Sequence, residues 1–62
     1  MNFNQLYKEA LLVDPQDTIC VKCERWNLPG GNLKNWTIWS VKFQQHFNGS
    51  TAEEVLEKYR NA

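Results

Sequence analysis

The sequence predicts a small α+β domain with its elements in the order helix–strand–strand–helix: an antiparallel β-hairpin packed against two helices, one domain over residues 1–62. Three observations carry this. Apolar residues recur at the 3.6-residue period near both ends of the chain, while the middle alternates or is dense in β-branched and aromatic residues. A Pro-Gly-Gly-Asn cluster, the strongest turn signal present, divides that middle in two.

The first helix is expected over residues 2–13. Phe3, Leu6, Tyr7, Ala10 and Leu11 form one apolar stripe. Asn2 can cap the start, with Gln5 three residues later as its capping-box partner. Asp14-Pro15 ends the helix, because the residue before proline is pushed out of the helical region. Residues 18–26, TICVKCERW, then alternate: Ile19, Val21 and Cys23 point one way, and Cys20, Lys22, Glu24 and Trp26 the other. Residues 27–35, NLPGGNLKN, read as loop. Residues 36–47, WTIWSVKFQQHF, read as a second strand that bends near Gln44-Gln45, with Trp39, Val41 and Phe43 on one face and Trp36, Ile38, Ser40 and Lys42 on the other. Asn48-Gly49 turns the chain into a second helix over residues 51–61. Ser50 with Glu53, or Thr51 with Glu54, caps it, and Glu53 and Glu54 in the first turn with Lys58 and Arg60 in the last suit the helix dipole.

Both apolar faces of the hairpin must meet the helices, so register matters: a slip of one residue moves a strand's whole apolar set to the other side. Pairing Asn27 with Asn35, with the loop centred on Gly31, sets Val21 opposite Val41 and Cys23 opposite Trp39. Trp26, Trp36 and Ile38 are then left on the uncovered face.

Composition narrows the function. A chain of 62 residues beginning at Met1 reads as a whole small protein. Chains this short bury only about 60% of their unfolded surface and usually need a staple or a partner subunit. Net charge is zero. The middle is mildly basic, with Lys22, Arg25, Lys34 and Lys42 against Glu24, and the ends are mildly acidic. That falls short of the basic stripe of a dedicated nucleic-acid binder. The start MNFNQLYKEA is amphipathic, unlike a signal peptide, and no membrane span is visible. A cytoplasmic setting follows, with Cys20 and Cys23 as reduced thiols.

Cys20-Val21-Lys22-Cys23 is a C-x-x-C pair. Structural zinc needs four ligands, and only His46 adds to the two sulfurs, so Cys20, Cys23 and His46 stop at three. In a strand, residues three apart face opposite ways, so the thiols diverge: Cys23 is expected as a small core residue and Cys20 as a half-exposed thiol. An intersubunit zinc built from two such pairs is the alternative. A redox dithiol needs a helix start, which is missing here. His46 has no nucleophile or carboxylate placed beside it. Glu53, Glu54 and Glu57 are solvent-facing helix residues, and Leu28-Pro29-Gly30-Gly31-Asn32 lacks the G-K-[ST] of a phosphate loop.

The constellation that carries a functional expectation is the aromatic, basic hairpin: Trp26, Trp36 and Ile38 with Arg25, Lys22, Lys34 and Lys42. Aromatic and arginine side chains dominate protein–protein hot spots, and they also stack single-stranded bases while cations follow the phosphates. Neutral net charge favours protein, since nucleic-acid affinity leans on phosphate neutralisation. A third possibility is that Trp36 and Ile38 simply complete the core. The expectation is a non-enzymatic regulator or inhibitor, of the kind viruses also encode. It would occupy a surface of a larger partner protein, need no cofactor, and act as a homodimer. The second reading is a small single-stranded nucleic-acid-binding protein.

Overall fold

The computed structural model describes all residues from Met1 to Ala62. Helix α1 (Phe3–Val13) leads through a short link into strands β1 (Ile19–Leu28), β2 (Gly31–Ser40) and β3 (Gln45–Gly49), and helix α2 (Ala52–Arg60) closes the chain. The three strands form one antiparallel sheet in the order β1-β2-β3. Both helices lie on one face of it, so the expected α+β class and the hairpin with two helices are present, and a third strand is added. No helix is long and apolar enough to cross a membrane.

The helix ends follow the chemistry read from the sequence. Asn2 Oδ1 accepts the Gln5 N–H at 2.9 Å, and Gln5 Oε1 accepts the Asn2 N–H at 2.8 Å, a complete capping box. Asp14 ends α1 in an extended conformation. At α2, Thr51 Oγ1 accepts the Glu54 N–H at 3.1 Å, and the Glu54 carboxylate reaches back to the Ser50 N–H. The Met1 amine pairs with Glu53 at 2.7 Å, which brings the two helix N-termini together.

Two features of the hairpin differ from expectation. The turn is the two-residue Pro29-Gly30, with Leu28 paired to Gly31, and not a nine-residue loop centred on Gly31. Proline's fixed φ suits the second position of a tight turn, and Gly31 exits it at φ +136°, open to glycine but strained for other residues. The register therefore shifts by an odd number of residues, and β2 is turned over relative to the pairing of Asn27 with Asn35. Val21 faces Ile38, Cys23 faces Trp36, and Cys20 faces Trp39.

The expected strand over residues 36–47 is two strands. Residues 41–44 form a turn closed by the Gln44 N–H on the Val41 carbonyl, with Gln44 itself left-handed at φ +49°. No glycine or proline marks this turn. It is held from outside: Asp17 accepts the Lys42 N–H at 2.9 Å, and Ser40 Oγ accepts the Phe43 N–H at 3.2 Å.

The core gathers Leu6 and Ala10 from α1, Val21, Ile38 and Phe47 from the sheet, and Ala52, Val55, Leu56 and Tyr59 from α2. Each large side chain removed from water in this way contributes about 1.5–3 kcal/mol. The apolar stripe of α1 is narrower than expected: Phe3 and Tyr7 stay in solvent while Leu6 and Ala10 are fully covered. Gly49 lets β3 approach α2 closely, since a Cβ there would lie 2.8 Å from the Val55 nitrogen.

Beneath the core, Asp17 joins three segments. It accepts from Ser40 Oγ and, at 2.7 Å, from Tyr59 Oη. Burial pushes its carboxyl upward, but the hydrogen bonds from Ser40, the Lys42 N–H and Tyr59 outweigh this and hold it below the ordinary carboxylate range. Tyr59 responds in the opposite sense: burial and the adjacent carboxylate push its phenol well above the usual value. At the rim, Lys42 pairs with Asp14 at 2.6 Å.

Candidate functional site

With both helices on one side, the other face of the sheet is a single uncovered layer. Residues paired directly across an antiparallel ladder share a face. The outer face therefore carries Cys20, Trp39 and His46 in one row, Lys22, Thr37 and Asn48 in the next, then Glu24 with Asn35, and Trp26 with Leu33. The first eight of these line a shallow concavity of about 530 Å³.

Its floor is organised by neighbouring side chains. The Trp39 and His46 rings meet at 4.5 Å between centroids, tilted by 39°. Thr37 Oγ1 donates to Asn48 Oδ1 at 2.9 Å and accepts from Asn35 Nδ2 at 3.1 Å. Lys22 and Glu24 pair at 3.4 Å along the strand. The surface is polar at its centre, with one aromatic step and balanced charge.

Beyond the pair Trp36–Gly49, where β3 ends, the distal half of the β1–β2 hairpin has no third strand. The body projects there, and the chain is drawn out to 41 Å in its longest dimension. On the outer side of this arm, Trp26 stands opposite Leu33, with Leu28 two residues further along the same face. They are 42%, 50% and 54% exposed. On its inner side, Arg25 stands opposite Lys34 with no carboxylate paired to either.

The residues expected to share the working face are thus split. Trp26 and Lys22 are on the outer face, as expected. Arg25 and Lys34 are on the arm but on the other side from Trp26. Ile38 is fully buried in the core and Trp36 half-buried against it, which corrects their placement on the uncovered face and agrees with the third possibility, that they complete the core, though with both helices on one side of the sheet and not on both. The odd-numbered shift in register is the reason. Lys42 leaves the sheet in the β2–β3 turn and pairs with Asp14, whose hydrogen bond raises its pKa and lowers that of Asp14. Leu28, Leu33, Trp39, Asn35, Thr37 and Asn48 were not anticipated. Reading Pro29-Gly30 as a two-residue turn would have found Leu33, because that register alone sets it opposite Trp26.

The two thiols do lie on opposite faces, Cys20 beside Trp39 and Cys23 beside Trp36. Both are exposed, which corrects Cys23 as a core residue: it sits near the end of the helix layer. His46 shares the outer face with Cys20, but Trp39 stands between them, and no three His, Cys, Asp or Glu side chains converge anywhere. Cys20, Cys23 and His46 therefore do not form one ligand set. Ser40 and Asp17 are close, but on the inner face beneath the core, across the sheet from His46.

Comparison of the chain with protein-family models, with curated proteins and with solved structures finds no match in any of the three.

Proposed function

We propose that this is a small non-enzymatic binding protein of the cytoplasm, a regulator or inhibitor that acts by occupying a surface of a larger protein. The observation that carries this is the Trp26–Leu33–Leu28 cluster on the outer side of the projecting arm. A large aromatic flanked by two leucines, half in water on a protruding hairpin, costs solvation free energy that a buried contact would recover. Tryptophan is also the residue most enriched among binding hot spots. The polar floor around Thr37, Asn35 and Asn48 continues the same face and fits the polar rim of such an interface.

The geometry favours protein over nucleic acid as the partner. Stacking on Trp26 would need cations on its own side to follow the phosphates. Arg25 and Lys34 are on the opposite side of the arm, and Lys22 is already paired with Glu24.

The test is affinity capture from extract of the cells that carry the protein, using the native chain and the double variant Trp26→Ser with Leu33→Ser. The native chain should retain a partner protein that the variant loses while its circular dichroism is unchanged. Equal capture by both chains would remove the arm from the interface.

A further inference from the structure

The two edges of the sheet are treated differently by the fold. On β3 the edge is five residues long, and Lys58 Nζ from α2 caps its Asn48 carbonyl at 2.8 Å. On β1 it runs for ten residues with no proline, and nothing pairs with it. Exposed edges of that length are templates for another strand unless they are blunted.

The direction of the free groups can be read from the ladder. The Val41 N–H donates to the Thr18 carbonyl at 3.0 Å. In an antiparallel pair, residues alternate between pointing both backbone groups at the neighbour and pointing both away. Even-numbered residues of β1 therefore bond to β2. Ile19, Val21, Cys23, Arg25 and Asn27 present their N–H and C=O groups to the open edge.

We infer that this edge pairs with the same edge of a second copy of the chain, antiparallel, about a two-fold axis at Cys23, giving a six-stranded sheet in the order β3-β2-β1-β1-β2-β3. Three features support this: the first selects the occupant, and the other two favour a strand at this edge. First, the register is charge-complementary to itself. With Cys23 opposite Cys23 of the second copy, Lys22 of each chain stands opposite Glu24 of the other. The existing Lys22–Glu24 contact of 3.4 Å becomes part of an alternating four-charge cluster. Moving the axis to Glu24, the next register that keeps the helices on one side, would instead set Glu24 against Glu24, and like charges directly opposite destabilise. Second, the pairing supports the arm. Residues 24–28 have β2 on one side only, and a lone two-stranded ribbon is marginal in water. In the dimer they gain the first half of β1 from the second copy as a third strand. Third, five donors and five acceptors per chain find partners along an edge that no helix or loop covers.

This inference goes beyond the proposed partner surface and stands on different groups, backbone and charge and not the Trp26 cluster. It leaves that cluster exposed on the outer face and places two copies of it on one continuous surface.

The test uses charge exchange. In sedimentation experiments the native chain should run as a dimer at high micromolar concentration. Lys22→Glu alone and Glu24→Lys alone should each associate about tenfold or more weakly, because each sets two like-charged pairs face to face. An equimolar mixture of the two variants should regain the dimer as a heterodimer, since each reversed side chain then meets its opposite. Arg25→Pro removes only an outward N–H, which an edge strand tolerates. It should keep the circular dichroism of the native chain and run as a monomer. In Cys20→Ser, oxidation with copper phenanthroline should join two Cys23 thiols into a disulfide, because directly opposed residues lie about 5.5 Å apart at Cα, inside the bridging range. A monomeric native chain overturns the inference. So does a dimer that both charge variants leave intact, or a mixture that does not recover.

Discussion

Tyr59 Oη donates a 2.7 Å hydrogen bond to Asp17 Oδ2 across 42 residues of sequence. It ties the last turn of α2 to the link between α1 and β1, and through Ser40 to the end of β2. Replacing Tyr59 by Phe removes a hydrogen bond to a charged acceptor in a buried setting, at a cost of about 1.5–3 kcal/mol. Urea unfolding measures it, and a Tyr59→Phe chain as stable as the native one would remove this contact from the forces that hold the fold.

The same contact is one of several that set how stability varies with pH. Asp14, Asp17, Glu53 and Glu54 all have folded pKa values below their usual ones. Their contribution is present above the unfolded carboxylate range and is lost as pH falls below about 4. Tyr59 is raised, so its contribution is complete below the usual tyrosine value of 10.0 and declines above it. The unfolding midpoint should therefore be flat between these limits and fall on both sides. In Tyr59→Phe the alkaline fall should shrink most; the acid fall should shrink less, because Asp17 keeps the Ser40 and Lys42 N–H hydrogen bonds and Asp14, Glu53 and Glu54 are untouched.

The orientation of β2 is tested by two substitutions. Ile38→Ala should cost about 2–5 kcal/mol, as for a buried aliphatic side chain in a closed core. Trp26→Ala should stay within about 0.5 kcal/mol, as for a surface position. An Ile38→Ala cost as small as that of Trp26→Ala would mean that β2 presents its other face to the helices.

Most of the fold was legible in the sequence. The caps at Asn2 and Thr51, the stop at Asp14-Pro15 and the alternation of β1 are local effects, and each stands where local chemistry puts it. The parts that were not legible depend on distant groups. The break at residues 41–44 carries no turn residue; Asp17, far away in sequence, accepts the Lys42 N–H and the hydroxyl of Ser40, which in turn accepts the Phe43 N–H. Residues 31–35 read as loop since glycine, asparagine and lysine are poor strand formers, yet a two-residue Pro29-Gly30 turn carries them into the ladder. That one difference turned β2 over. It moved Ile38 from the expected working face into the core and brought Leu33 to Trp26.

Close packing at the β3–α2 junction makes Gly49 sensitive. A methyl group there meets the Val55 nitrogen and Glu54 side chain, so Gly49→Ala should destabilise by about 1–3 kcal/mol, the usual cost of overpacking. Thermal unfolding measures it. An unchanged midpoint would show that α2 can shift to make room.

Gln44 has the reverse sensitivity. Its φ of +49° is unfavourable for residues with a side chain, by about 1–2 kcal/mol, and open to glycine. Gln44→Gly should leave stability unchanged or raise it, despite glycine's greater freedom in the unfolded chain. A loss of more than about 1 kcal/mol, the scale of glycine's entropic cost, would show that the Gln44 side chain contributes to the turn.

The proposed binding surface is read out by hydroxyl-radical footprinting of the native chain, alone and with its captured partner. Trp26 and Leu33 should lose reactivity in the complex while Phe3 and Tyr7, on the far side of the molecule, keep theirs. Protection of Phe3 and Tyr7 with Trp26 unchanged would place the partner on α1 and contradict the role given to the projecting arm.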